Sequence, residues 1–260
     1  MAGRTERVLT LPSFDQGIIF GPGSEPKQTI FEESSTQEHR LGARYIDGDR
    51  TFRYCKNAAV ALGKAKMTQA QVVETKTTEI VQTGHAWAVG DVSGTILVTT
   101  GGTFALNEFT DGWLFANKVA AVGDIYRVIA SKIQSTDTIM DLELETAVRT
   151  AISVTTELSL IPNRFYDVVV FPTAHTGYAT GVPLIDITAS YYFWAQTAGP
   201  APLIVDTAET VVIGDTVGNA ATTSVTGTCG VRVTLEQAWG NVLVVGAAAE
   251  PALVNLSIDQ

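Results

Sequence analysis

The chain has 260 residues, enough for one large β domain or two smaller ones, and 45% of them are hydrophobic, which provides for a sizeable core. Its formal net charge of −10 argues against a protein that wraps nucleic acid, because that function needs clustered lysine and arginine. No run approaches the roughly 20 apolar residues of a membrane-spanning helix. The first residues lack the apolar stretch of a signal peptide, so we expect synthesis and folding in a cytoplasm and no membrane partner.

The charge is unevenly distributed along the chain. Residues 1–76 carry 11 basic and 9 acidic side chains, whereas residues 77–260 carry 6 basic and 18 acidic ones. One interpretation is a chance fluctuation. The other is a two-faced molecule whose N-terminal part meets an acidic partner while the remainder faces solvent.

The first segment, residues 1–35, is predicted to be an extended arm. Proline and glycine interrupt it, and the tract GPGSEPK is incompatible with a helix or a central strand. It nevertheless carries too many large apolar side chains for a disordered tail. We therefore expect it to dock on its own body or on a neighbouring subunit, and the expected interface residues are Leu9, Leu11, Phe14, Ile18, Ile19 and Phe20.

A β-rich domain is predicted for residues 36–180. It begins with a hairpin over residues 40–56, since Asp47 and Gly48 form a strong turn signal between two strand-like runs. For residues 58–71 a short helix and an extended connection are both open. Seven candidate strands follow, at residues 72–77, 85–89, 94–100, 102–109, 113–119, 125–133 and 138–145. Their spacing of about ten residues predicts an antiparallel sandwich or barrel, and a helix at residues 144–154 is left open.

Residues 181–260 are predicted to form a C-terminal β module, because short β-branched runs alternate there with glycine, proline, asparagine and aspartate. The whole chain is therefore predicted to be all-β, with antiparallel sandwich or barrel modules and an irregular N-terminal arm. Alternation along the aromatic run 191–194 places two side chains on each face of a strand. We expect one pair in the core and the other at an interface, and we assign Tyr192 and Trp194 to the interface; a sugar-stacking platform is the alternative.

Acidic and thiol groups are interpreted as structural. Asp141, Glu143 and Glu145 share one face of a predicted strand, which favours a solvated face over a pair of glycosidase carboxylates. Cys55 and Cys229 each lie in an apolar run, which favours buried free thiols over a disulfide.

No constellation for catalysis or metal binding is apparent. His39, His85 and His175 are far apart in sequence and have no neighbouring cysteine. Neither a phosphate-binding glycine loop nor a nucleophile elbow is present. We therefore predict no catalytic residue, no metal, no cofactor and no enzymatic activity.

Three stretches together resemble the head decoration, or capsid cement, proteins of tailed bacteriophages. The first is the hairpin with its aromatic return strand at residues 48–57, and the second is the turn-rich stretch at residues 107–115. The third is YFWAQTAGP at residues 192–200, followed by residues 211–215 and the apolar final strand at 252–258. The long irregular arm departs from the pattern of this family.

The resemblance implies a structural role on a virion. Such a protein binds the outer surface of an icosahedral phage capsid and cements neighbouring major capsid subunits, which stabilises the DNA-filled head. The implied partners are the major capsid protein and further copies of this chain, with a trimer favoured and a dimer second, since closed cyclic oligomers match the symmetry axes of a shell. Weak contacts repeated over a lattice add up to large collective stability.

Two other classes of function remain open. The first is another virion component, such as a tail, head-fibre or receptor-binding protein. The second is a carbohydrate-binding β-sandwich or a glycoside-processing enzyme, which would bind or hydrolyse glycans as an isolated protein.

Overall fold

The computed structural model describes the backbone of residues 18–20 and the full residues 27–73, 75–99, 104–134, 138–219, 224–233 and 236–259. The described residues form seventeen strands and contain no α-helix, only a 3-10 turn at Thr75–Thr77. The all-β prediction is therefore confirmed. The two segments for which a helix was open, 58–71 and 144–154, are mostly turns and extended connections.

The strands are bounded as follows: β1 Ile18–Phe20, β2 Arg44–Asp47, β3 Arg50–Lys56, β4 Thr68–Gln69, β5 Ile80–Val81, β6 Ser93–Leu97, β7 Trp113–Lys118, β8 Ile125–Ile133, β9 Ile139–Leu144, β10 Glu157–Ile161, β11 Val169–Val170, β12 Ala179–Pro183, β13 Tyr192–Ile204, β14 Thr216–Gly218, β15 Gly230–Val231, β16 Ala238–Val244 and β17 Pro251–Ser257.

The chain divides into two compact units, and the second is inserted into the first. Unit 1 consists of residues 1–71 and 164–260, and unit 2 consists of residues 72–163. The predicted boundary between residues 180 and 181 is therefore wrong, because it cuts through β12. The predicted domain of residues 36–180 also mixes strands of both units. Local sequence patterns do not reveal that β3 pairs with β13, more than 130 residues further along the chain.

Unit 1 is built on one sheet with the order β1-β2-β3-β13-β17-β16-β14-β15, to which β4, β11 and β12 attach. The pairings between these strands are antiparallel, except for the parallel pairing of β1 with β2. The long central strand β13 pairs with β3 over its first half and with β17 over its second half. Its side chains enter three separate core clusters, Leu203 in one, Trp194 in another and Phe193 in the third.

The hairpin predicted over residues 40–56 is confirmed. β2 and β3 pair from Arg44 with Arg53 to Asp47 with Arg50, which leaves a two-residue loop. Gly48 opens that loop with a φ of +63°, a conformation that glycine adopts without steric cost.

Unit 2 is a six-stranded antiparallel sheet with the order β5-β10-β7-β8-β9-β6 that curls into a nearly closed barrel. Four of the seven predicted strands are found, as β6 to β9, but the described residues of 72–77, 85–89 and 102–109 form none of the strands predicted there. In the last, Asn107 has a φ of +62°, which ends extended structure. Phe104 and Phe109 instead pack edge to face from a turn, with ring centroids 5.4 Å apart. The apolar residues of this segment indicated burial, and Phe104 and Phe109 are buried, but these residues did not show that the segment forms a turn and not a strand.

A buried glutamine joins the two end strands of this barrel. The Gln82 side-chain oxygen accepts a hydrogen bond from Leu97 N at 2.7 Å, and its Nε2 donates to Ile80 O at 2.9 Å. Gln82 is fully buried. Its amide therefore replaces the backbone pairing that β5 and β6 do not make.

We expect Gln82→Leu to destabilise unit 2 by about 1–3 kcal/mol, because Leu97 N loses its acceptor inside the barrel. Gln134→Leu is the matched control, since the Gln134 amide bonds only the half-exposed Asp141 carboxylate in the described contacts. Urea unfolding gives the stability, and amide hydrogen exchange at Leu97 reports the closure directly. Equal losses in both variants, with Leu97 still protected, would contradict the role of Gln82.

Candidate interface surfaces

The N-terminal arm reaches the edge of the sheet in unit 1. β1 pairs in parallel with β2, with Ile18 opposite Arg44 and Phe20 opposite Ile46. The backbone of Ile18, Ile19 and Phe20 thus covers an edge that would otherwise present unpaired donors and acceptors. The other predicted arm residues, Leu9, Leu11 and Phe14, lie outside the described residues.

Residues 27–38, which we call the strap, fix the point where the arm joins unit 1. Gln28 is the anchor: its Nε2 donates to Tyr192 O at 2.9 Å, and its Oε1 accepts from the Tyr54 hydroxyl at 2.6 Å. Trp194 Nε1 donates to the Gln28 carbonyl at 2.8 Å. Burial raises the pKa of Tyr54 to about 12, so this hydroxyl remains a proton donor over the whole physiological range.

Two further contacts hold the strap against the start of β13. Ser34 and Tyr192 exchange backbone hydrogen bonds, with N–O distances of 3.0 and 2.7 Å. The Glu33 carboxylate accepts from both the backbone N and the hydroxyl of Thr188, at 2.6 and 2.7 Å. The strap is therefore a bonded part of unit 1, although its Phe31 side chain is 61% exposed.

The structure corrects the assignment of Trp194 to an interface. Trp194 is 1% exposed and packs against Tyr54, with ring centroids 5.0 Å apart. Phe193, on the opposite face of β13, is equally buried. Both faces of β13 are covered at this point, and the strap covers the face that carries Trp194. Alternation along the strand therefore did not distinguish a core face from an exposed face. Tyr192 is half-buried and stacks on Tyr54 at 6.0 Å.

We expect Trp194→Ala to destabilise the folded chain by about 3–5 kcal/mol, as a large buried aromatic does. Trp194→Phe keeps most of the volume but leaves the Gln28 carbonyl without its donor, so it should cost less, about 1–3 kcal/mol. Chemical denaturation followed by tryptophan fluorescence and circular dichroism measures both. A Trp194→Ala protein as stable as wild type but impaired in association would restore the interface assignment.

His39 directly follows the strap and lies among aromatic rings. Its ring centroid is 5.1 Å from that of Tyr54 and 5.2 Å from that of Trp194. Its Nε2 is buried and finds no hydrogen-bond partner among the described residues. Burial lowers the pKa of His39, an effect that Glu38 partly opposes and Lys27 reinforces.

A lowered histidine pKa makes the folded state lose stability on acidification. Above the unfolded value of about 6.5 both states are neutral; as the pH falls below it, the unfolded chain takes up the proton first and is favoured. We expect stability to fall between pH 7 and 5 and His39→Gln to flatten that slope. His175→Gln is the control, because His175 is exposed beside Glu236. Identical slopes in the two variants would contradict the assignment.

Three of the four cations of the β2–β3 hairpin are paired with carboxylates within the described residues. Arg50 is paired with Asp47, and Arg53 with Asp259. Lys56 lies 3.1 Å from Asp167 and 4.2 Å from the centre of the Tyr166 ring. The hairpin is therefore largely neutralised, which weakens the interpretation of a basic face that steers an acidic partner.

The residues considered for chemistry lie apart or are structural. Asp141 and Glu143 point away from the core of the β9 strand, as predicted. Cys55 and Cys229 are free and buried, also as predicted, and burial raises the pKa of Cys229 to about 12. No cluster of metal-binding side chains occurs within the described ranges of the chain.

Among the described residues Asp206 is the most buried carboxylate, and it organises a loop. It accepts hydrogen bonds from the backbone N of Ala208, Ser224 and Val225 and from the Thr228 hydroxyl, at 2.8 to 3.0 Å. Burial would raise the pKa of Asp206, but these donors hold it well below its usual range. A carboxylate so fully bonded and so hard to protonate is suited to hold a loop, not to transfer protons.

No protein-family model, no curated protein and no solved structure matches this chain. The described residues form no helix long and apolar enough to cross a membrane.

Proposed function

We propose that this chain is a capsid decoration protein, which binds the outer surface of an icosahedral phage shell and cements neighbouring major capsid subunits. The observation that carries the proposal is the anchored arm. The segment before Gln28 is rich in apolar residues, the backbone of its Ile18–Phe20 pairs with β2, and Gln28 fixes its root next to the exposed ring of Phe31. An apolar segment with a fixed root and an exposed aromatic ring beside that root suits a protein that binds neighbouring subunits.

The proposed mode of action is mechanical and not catalytic. Each copy would add interface area between capsid subunits, and the same contacts repeated over a lattice would resist the pressure of packaged DNA. The buried polar side chains support a structural role. The amides of Gln28 and Gln82 and the carboxylate of Asp206 all form hydrogen bonds with main-chain groups elsewhere in the protein. The protein would act on the outer surface of the virion, with no direct contact to nucleic acid.

The rival carbohydrate-binding function is less well supported. The proposed stacking platform was the aromatic run 191–194, but Phe193 and Trp194 are core residues and Tyr192 lies against Tyr54. Another virion component, such as a tail or head-fibre protein, remains the second candidate, because an arm of this kind suits any ordered assembly.

Sedimentation with capsids tests the proposal. We expect the full chain to co-sediment with expanded shells assembled from the major capsid protein of the same genome. Deletion of residues 1–26, which keeps the Gln28 anchor, should weaken binding roughly tenfold or more, a loss of about 1.4 kcal/mol. Gln28→Ala, with the arm present but its root loosened, is the companion variant.

The outcomes separate two claims. A full chain that leaves the shells bare at high micromolar concentration would exclude the decoration role. A deletion variant that binds as tightly as the full chain would keep that role and exclude the arm as its contact. Circular dichroism of the deletion variant establishes that the β body is intact.

A further inference from the structure

Five neighbouring strands of unit 1 contain no charged residue. β13, β17, β16, β14 and β15 lie side by side in the sheet and read YFWAQTAGPAPLI, PALVNLS, AWGNVLV, TVG and GV. The other half of the same sheet differs, since β2 and β3 carry three arginines, an aspartate and a lysine. Because the chain has a net charge of −10, a half-sheet without charged residues differs clearly from the rest of the protein.

One face of this half-sheet covers the core and the other is exposed. Along β17 the buried residues Ala252, Val254 and Leu256 alternate with the exposed residues Pro251, Leu253 and Asn255. The neighbouring strands continue the exposed face, with Pro202 of β13 beside Leu253 and Asn241 of β16 beside Asn255. We call this surface the uncharged face.

A β-bulge enlarges its apolar part. The register between β16 and β17 shifts between Val242 and Val244, so that Leu243 and Val244 both lie outside the core, 42% and 55% exposed. They stand near Leu253, which is 37% exposed. A bulge re-aims side chains and is commonly found where a surface is used.

The loop before β14 adds two more apolar side chains. Val212 and Ile213 are 58% and 71% exposed, and Gly214 N donates to Val242 O at 2.9 Å, which holds the loop beside β16. The carboxylate of Asp215 accepts from Val212 N at 2.8 Å. The loop thus extends the apolar surface while its acidic group is tied to its own backbone.

We propose that the uncharged face binds the same face of a second copy, with a twofold axis near Asn255. Two chains of charge −10 repel one another, and they do so least where neither surface carries charge. A sheet face is self-complementary about a twofold axis, and sheets pack face to face at about −30°. The outward amides of Asn241 and Asn255 supply hydrogen-bonding groups that fix the register.

The size of the face sets the expected affinity. β16, β17 and the half of β13 that pairs with β17 have seven residues each and are about 24 Å long, and the short strands β14 and β15 together add about 17 Å. At a strand spacing of about 4.8 Å the face covers roughly 430 Å² per copy, or about 860 Å² for the pair. This is below the roughly 1,200 Å² of stable protein interfaces and in the range of weak, transient ones, so a dimer of micromolar affinity is expected. The inference deepens the self-association part of the proposed function and replaces the expected trimer with a dimer.

Analytical ultracentrifugation of the full chain between 1 and 100 μM, concentrations on the order of the expected affinity, is the first test. The wild type should dissociate on dilution from dimer to monomer. Leu243→Asp combined with Leu253→Asp should weaken the dimer roughly 30-fold or more, because it places two like charges in each half of a desolvated contact. Leu106→Asp is the matched control, since Leu106 is 70% exposed in unit 2 and should leave the dimer unchanged.

A cysteine at Asn255 tests the geometry without disturbing the apolar residues. Mild oxidation of Asn255→Cys should link two copies covalently, whereas Leu106→Cys should not. The native thiols do not interfere, because both are buried within the fold.

Four outcomes would overturn the inference. They are a wild type that stays monomeric at the highest concentration, a trimer, an oligomer unaffected by the aspartates, and loss of the dimer equally in the Leu106→Asp control. The capsid test is independent, because the double aspartate variant can be sedimented with shells. Shell binding lost in that variant, with a monomeric wild type, would assign the face to the capsid protein instead of a second copy.

Discussion

The pairing of β13 with β3 on one side and β17 on the other is the constraint on which the rest of unit 1 depends. It joins segments from the start, the middle and the end of the chain through one strand. Because Phe193, Trp194 and Leu203 lie on that strand and enter three different clusters, it places all three cores at once. The charged half of the sheet, which carries the arm, therefore lies on one side of β13, and the uncharged strands β17, β16, β14 and β15 lie on the other.

Buried side-chain amides complete the sheets where backbone pairing stops. Gln28 ties the strap to β13, and Gln82 connects the end strands of unit 2. Gln196 donates to the carbonyls of Ala198 and Pro200, at 3.0 and 2.9 Å, where β13 leaves β3. An amide offers a donor and an acceptor in one plane, as a peptide group does. Gln28 and Gln82 use both groups, whereas the buried side-chain oxygen of Gln196 finds no partner among the described residues.

The sequence predicted what local patterns encode. The Asp47–Gly48 turn follows from the turn preference of these two residues, and the outward carboxylates of β9 follow from the period of two in a strand. The structure has both, and it also has the predicted final strand, as β17. Local patterns did not predict the non-local features. Alternation along β13 does not distinguish an interface residue from a core residue at Trp194. Trp194 is buried because the strap, bonded to it through the Gln28 carbonyl, covers that face of the strand. The uncharged face depends on which residues of neighbouring strands lie side by side, and only the strand register shows that.

The insertion of unit 2 also constrains the order of events during synthesis. β3 is synthesised early, and its partner β13 is synthesised only after all of residues 72–163. The two strands therefore have to pair across that inserted span. A disordered span raises the entropic cost of closure by about 0.6 kcal/mol for each doubling of its length. A span already folded as its own barrel no longer samples those conformations, and domains generally fold as units during translation. Early folding of unit 2 would then lower the entropic cost of pairing β3 with β13 in unit 1.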